Sequence, residues 1–209
     1  MSQGASPDRL PIPEEDSIGV FAGTTLFSMI LLIVVLPYIA RFWTTSFSPN
    51  SSRERLTEDV KISIRGIGPI RIGMTPEEAA SIIGDPLSVS EDWGGTSESC
   101  YYVKPEHGPE GIYFMVIGGR IERVDIANSQ ISSRSGARVG SSEDLIHKLF
   151  AGRLEVEGHA DDEGGRSLVF TPRDESDRSY RMIFDTNGGE VTMIRAGRIP
   201  AVQYVEGCL

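Results

Sequence analysis

The side chains able to do chemistry are few and scattered. The three histidines, His107, His147 and His159, fall in a loop, a helix and a loop, and no two share a metal-ligand spacing, so no metal site is expected. His147 sits beside Leu145 and Leu149 on a helix flank, where partial burial is the expectation. The acidic runs Asp161-Asp162-Glu163 and Asp174-Glu175-Ser176-Asp177 lack the spaced ligands and central glycine of a calcium loop and read as solvated hairpin tips. Gly94-Gly95 and Gly164-Gly165 come without the lysine and strand-to-helix setting of a phosphate loop and read as turns. Ser141 and Ser142 precede a helix and are capping residues, and no nucleophile elbow occurs. Cys100 and Cys208 stand too far apart for a zinc ribbon or a redox dithiol motif; they form either one disulfide or two spare thiols, and the disulfide is favoured. A bonded pair implies an oxidising compartment. The reading is therefore of a protein that is not an enzyme and carries no cofactor.

The formal charge of −10 over 209 residues excludes nucleic acid and anionic lipid headgroups as ligands. That leaves the elements that place the domain. After an acidic tail (1–16), Ser17 to Ala40 run for 24 residues without a charge, long enough to cross about 30 Å of hydrocarbon as a helix. The expected transmembrane helix spans 17–43, bounded by Asp16 and by the interfacial residues Tyr38, Arg41, Phe42 and Trp43. It is too long for a signal-peptide core and follows an acidic tail, which indicates a retained anchor. Gly19 and Gly23 form a G-x-x-x-G pair through which a second helix can approach. The segment 44–60 is polar and reads as a flexible linker. The arginines after the helix (Arg41, Arg53, Arg55) outnumber the one before it (Arg9), and the positive-inside rule applied alone would put the domain in the cytoplasm.

Residues 61–209 are expected to form one α+β domain. Ile62, Ile64, Ile67, Ile70 and Ile72 suggest short strands leading into a helix started by Thr75, Pro76 and Glu78 and stopped by Gly84-Asp85-Pro86. Strands are predicted at 100–103, 111–118 and 120–127, the last two joined at Gly118-Gly119; the spacing of Ile121 and Val124 breaks strict alternation and points to a bulge. Further strands are expected at 154–158, 167–172 and 201–205. The order then recurs. Val139 to Ile146 restate Ile72 to Ala79 at an offset of 67, and Gly188-Gly189 and Val191 restate Gly118-Gly119 and Ile121, giving two helix/antiparallel-sheet repeats over roughly 64–130 and 136–208.

Ile72-Gly73-Met74-Thr75-Pro76-Glu77-Glu78, taken with Gly84-Asp85-Pro86, resembles the small bacterial envelope domains of the outer-membrane assembly lipoprotein type (SmpA/OmlA-like), duplicated as in β-lactamase inhibitor protein. Tyr204-Val205-Glu206-Gly207-Cys208 is also similar to a run found in some exported bacterial proteins. The likeness covers residues 64–208 and implies a helix-plus-sheet fold that binds other proteins. A membrane helix in place of the usual leader or lipid anchor is one departure; the other is that the inhibitor's aromatic binding residues have no counterparts here. With the cysteines, the resemblance outweighs the arginine bias and puts the domain on the periplasmic side of a bacterial inner membrane. The expected function is a membrane-anchored accessory or scaffold subunit of a larger membrane complex, respiratory or photosynthetic, whose partners are other subunits and the bilayer. The alternative is a free-standing envelope module that inhibits or senses a soluble protein through an aromatic patch drawn from Tyr101, Tyr102, Tyr113, Phe114, Tyr180 and Tyr204.

Overall fold

The computed structural model describes residues 55–91, 97, 99–158 and 164–208, all within the unit Ser52–Leu209. The predicted span 17–43, with Gly19, Gly23, Tyr38, Arg41, Phe42 and Trp43, lies outside them. Among the described residues no helix is long and apolar enough to cross a membrane.

Three short strands open the domain: β1 (Lys61–Ser63), β2 (Gly66–Ile67) and β3 (Ile70–Arg71). Helix α1 (Pro76–Ile83) follows. Its start is fixed reciprocally, since the Thr75 hydroxyl accepts from the Glu78 N–H at 3.2 Å and Glu78 accepts from the Thr75 N–H at 2.9 Å. Gly84 ends it in the left-handed conformation. A four-strand meander comes next, β4 (Leu87–Val89), β5 (Cys100–Pro105), β6 (Ile112–Ile117) and β7 (Arg120–Ile126), and then β8 (Ser132–Ser133). Helix α2 (Glu143–Leu149), capped by Ser142, leads into a second meander, β9 (Leu154–Gly158), β10 (Arg166–Phe170), β11 (Tyr180–Thr186) and β12 (Val191–Arg198).

The expected α+β class is corrected here. Strand makes up 41% of the structure against two helices, and these helices have only eight and seven residues. Nor do the halves keep separate sheets. They merge through an antiparallel β7–β12 pair into one eight-stranded sheet ordered β4-β5-β6-β7-β12-β11-β10-β9. The physical reason is that each meander ends in a strand with one unpaired edge, and joining the two edges satisfies both rows of main-chain groups. A second, four-stranded sheet, β3-β2-β1-β8, contains the parallel β1–β8 pair.

Equivalent main-chain clasps tie each helix entry to its own meander. Gly73 N–H donates to the Ile121 carbonyl at 2.7 Å and Ile121 N–H to that of Met74 at 2.8 Å; Gly140 N–H donates to Val191 at 2.8 Å and Val191 N–H to Ser141 at 2.9 Å. Each meander also carries one extra residue just past its glycine turn. Glu122 lies between the register pairs Val116–Ile121 and Met115–Arg123, and Thr192 between Thr186–Val191 and Asp185–Met193. The bulge lets Ile121 and Val124, three apart, both reach the core. At Gly118 and Gly119 both φ angles are positive (57° and 76°), as a two-residue hairpin turn requires.

The main core lies on the inner face of the large sheet. Ile62, Ile67 and Ile70 of the small sheet, Ala79 and Ile83 of α1 and Ile146 of α2 close over Phe114, Val124, Ile126, Phe184 and Ile194. The outer face carries two smaller clusters, Tyr102, Met115, Ala201 and Cys208, and Val169, Ile183 and Val202. Both include residues from the stretch beyond β12. Residues 201–205, expected to be a strand, form instead a 3-10 turn (Ala201–Gln203) and an irregular continuation.

Candidate functional site

The stretch 199–208 is a strap laid against the outer sheet face, and its attachment uses the least expected side chains in the molecule. Alternation along β7 and β12 turns Val124, Ile126, Ile194 and Ala196 inward, so Arg123, Asp125 and Arg195 face out, where the strap covers them. Arg123 is 1% exposed and Arg195 4%.

Arg123 Nε lies 2.9 and 3.0 Å from the two Asp125 carboxylate oxygens. Its Nη1 donates to the carbonyls of Ala201 (3.1 Å) and Tyr204 (2.6 Å), and its Nη2 to the Tyr102 hydroxyl. Arg195 forks onto Asp185 with Nε to Oδ2 at 2.6 Å and Nη2 to Oδ1 at 2.7 Å, while its Nη1 reaches the carbonyls of Val202 (3.2 Å) and Tyr204 (3.3 Å). Ser167 Oγ donates to Asp185 at 2.6 Å. Two guanidiniums thus converge on the Tyr204 carbonyl from beneath. A buried cation needs an acceptor for each N–H, and an irregular strap supplies what a paired strand would not, main-chain oxygens aimed at the sheet.

Covalent closure adds to this. Cys100 and Cys208 form a disulfide, with Cα atoms 5.5 Å apart. Next to it Gly207 adopts φ 75°, and a Cβ there would stand 3.0 Å from the Tyr102 hydroxyl oxygen. Burial, then the neighbouring Asp125 charge, raise the Tyr102 pKa, so the hydroxyl stays protonated. Burial also raises the Asp125 pKa, against the opposing pull of Arg123. The site positions main chain; its aspartates are engaged by arginine.

Between the anchored carbonyls and the disulfide, Gln203, Tyr204, Val205 and Glu206 are exposed. Tyr204 is 42% and Val205 69% exposed, the latter the largest exposure among the large apolar side chains of the described residues. Backbone held from below and side chains open to solvent are the attributes of a contact loop with little ordering entropy to lose on binding.

A second concavity, an open cleft of about 880 Å³, lies at the β5–β6 loop and takes in Lys104, Glu106, His107, Glu110, Tyr113 and Asn128. Asp85, buried at the end of α1, holds His107 through Nδ1 at 2.8 Å and through its N–H at 3.1 Å. This clamp organises the loop. Among the described residues no group of three or more His, Cys, Asp or Glu could hold a metal ion.

Of the other residues read from sequence, Ser142 caps α2 and Ser141 accepts from the Arg138 N–H at 3.1 Å. Asp174 caps a 3-10 turn, which holds its carboxyl below the ordinary value, and Asp177 pairs with Arg65. Asp174, Glu175 and Ser176 are exposed in the β10–β11 connection, a solvated tip as expected, and the capping and pairing are added to it. His147 is exposed, where partial burial was expected. His159 and Asp161-Asp162-Glu163 lie outside the described residues. Within the proposed aromatic patch, Tyr102 and Phe114 are buried, Tyr101, Tyr113 and Tyr180 half-buried, and Tyr204 alone is exposed. Sequence reasoning missed Arg123 and Arg195; the one signal was a charge two residues from another charge or a glycine inside an otherwise apolar strand.

No family model and no curated protein matches the chain. Among solved structures, the uncharacterized protein yfeY from Escherichia coli is similar at 14% identity and a TM-score of 0.43, covering 66% of this chain and 99% of that one. An extracellular protein containing an SCP domain, from Bacillus anthracis, is similar at 8% identity and a TM-score of 0.40, covering 65% of this chain and 46% of its own. Likenesses this weak bear on neither fold nor activity.

Proposed function

We propose that the domain is a non-enzymatic accessory or scaffold module of the bacterial envelope, outside the cytoplasm, that makes protein contacts through the strap loop Gln203–Glu206. The observation that carries this reading is the double anchoring of the Tyr204 carbonyl by buried Arg123 and Arg195 while the Tyr204 and Val205 side chains stay exposed. Aromatic anchors on a preorganised backbone supply a disproportionate share of interface energy. The Cys100–Cys208 disulfide supports an oxidising compartment. The uncharged apolar run before the domain supports retention at a membrane, and hence a complex of membrane subunits as host.

A photo-crosslinking residue placed at Val205 of the full-length chain in its own cells tests the proposal. One discrete adduct at 205, absent when the residue is placed at exposed Val89, is the expected result, and gentle solubilisation should give a complex larger than the monomer. Free monomer with no adduct at 205 would sink the reading. A soluble partner in the adduct would select the free-standing inhibitor or sensor instead.

A further inference from the structure

The large sheet ends in two unlike edges. One, β4, has three residues; the other, β9, has five and pairs only with β10 among the described residues. The direction of the β9 main chain follows from its register. The Arg153 carbonyl accepts from the Thr171 N–H at 3.3 Å, one step before the Leu154–Phe170 pair, so residues 153, 155 and 157 bond inward to β10. The N–H and C=O groups of Leu154, Val156 and Gly158 consequently point away from the sheet, unpaired within the ladder.

Side chains alternate on this edge. Val156, 53% exposed, extends the inner face beside Leu168, while Glu155 and Glu157 stand on the outer face beside Val169 and Ser167. Among the described residues neither glutamate has an ion-pair partner. We infer that β9 accepts an added β-strand from a protein partner, an extended segment in which an apolar residue sits between two Lys or Arg residues. Main-chain bonds to Val156 give the affinity; the apolar residue covers Val156, and the flanking cations meet Glu155 and Glu157.

A second copy of this chain is the wrong occupant. Two β9 strands paired antiparallel about Val156 would set Glu155 of each opposite Glu157 of the other, and like charges directly opposed are destabilising. The net charge of −10 also favours a basic partner.

The probes are two fluorescent peptides, acetyl-Lys-Val-Lys-Val-Lys amide and its Glu-for-Lys counterpart, titrated into the full-length protein in micelles. The basic peptide should bind about tenfold more tightly, as two favourable cross-strand ion pairs replaced by two repulsive ones imply. It should slow amide exchange at Leu154, Val156 and Gly158. Val156→Pro removes an outward N–H and no existing ladder bond, so it should abolish binding with an unchanged circular dichroism spectrum. The pair Glu155→Lys and Glu157→Lys should reverse the peptide preference, and decides the matter if the proline variant fails to fold. Equal binding of both peptides, binding untouched by Val156→Pro, or protection at other residues would overturn the proposal. So would a self-associated protein that Val156→Pro makes monomeric, since it would seat a second copy on the edge.

Discussion

In the first half of the sheet, Arg123 and Asp125 stand two residues apart on one strand, both sealed from water; in the second, Arg195 faces Asp185 from the neighbouring strand, with Ser167 sharing the load. At the repeat offset of 70, Asp125 corresponds to Arg195, and the two are directly opposed across the β7–β12 seam. The halves therefore agree on the inner face, where caps, clasps and bulges recur, and differ on the outer face, where one duplicated position has acquired opposite charges. A single strap can then be gripped from both halves. The first half also holds it by a covalent bond, and this asymmetry is what mutation should expose.

The largest effect is expected for Cys100→Ser with Cys208→Ser. These cysteines are 108 residues apart, and losing the bond should lower unfolding free energy by about 4 to 5 kcal/mol in the chain-entropy model, read by denaturant titration. An unchanged midpoint would mean that the arginines hold the strap unaided. Arg123→Ala should come next, at about 3 to 4 kcal/mol, because it strands a fully buried carboxylate. Arg195→Ala should cost about 2 kcal/mol, since Asp185 is less buried and keeps Ser167. Reversal of that order would show that the second half is the stronger grip.

Asp125 gives the first half a dependence on pH. Its folded pKa is raised above the ordinary 3.8 by burial, so the folded state holds that proton more tightly. The resulting stability is complete below the unfolded value and is lost as pH rises through the folded one, with a slope of at most about 1.4 kcal/mol per pH unit for one group. Asp125→Asn should flatten that decline in urea titrations across the acid range; parallel slopes in the two proteins would refute the assignment. The smallest contrast is in the caps. Thr75→Ala should cost about 1 kcal/mol and Ser142→Ala about half that, because only α1 has the reciprocal Glu78 bond.

What could be read from sequence was local. Thr75-Pro76 with Glu78 marked a helix start, Gly118-Gly119 a turn, and the three-residue spacing of Ile121 and Val124 a bulge, because each is decided by neighbours in the chain. The fold class was misjudged because caps and stops make short helices conspicuous, while strands of five or six residues announce themselves weakly. The single sheet was hidden for another reason: nothing in β7 or β12 alone says that their edges meet. Residues 201–205 contain the strand-favouring types Val202, Tyr204 and Val205, yet the carbonyls of Ala201, Val202 and Tyr204 are taken by the arginine side chains of Arg123 and Arg195. Periodicity assigns charged residues to solvent, and that is why Arg123, Asp125 and Arg195 gave no warning as candidates.

The strap follows all twelve strands of the two sheets in the chain, so it is synthesised after them. Until residues 199–208 arrive, the guanidinium groups of the sheet must be served by water, and Cys100 has no partner. The outer face therefore matures last, by a contact between segments about a hundred residues apart, so final closure is governed by the slow search typical of high contact order.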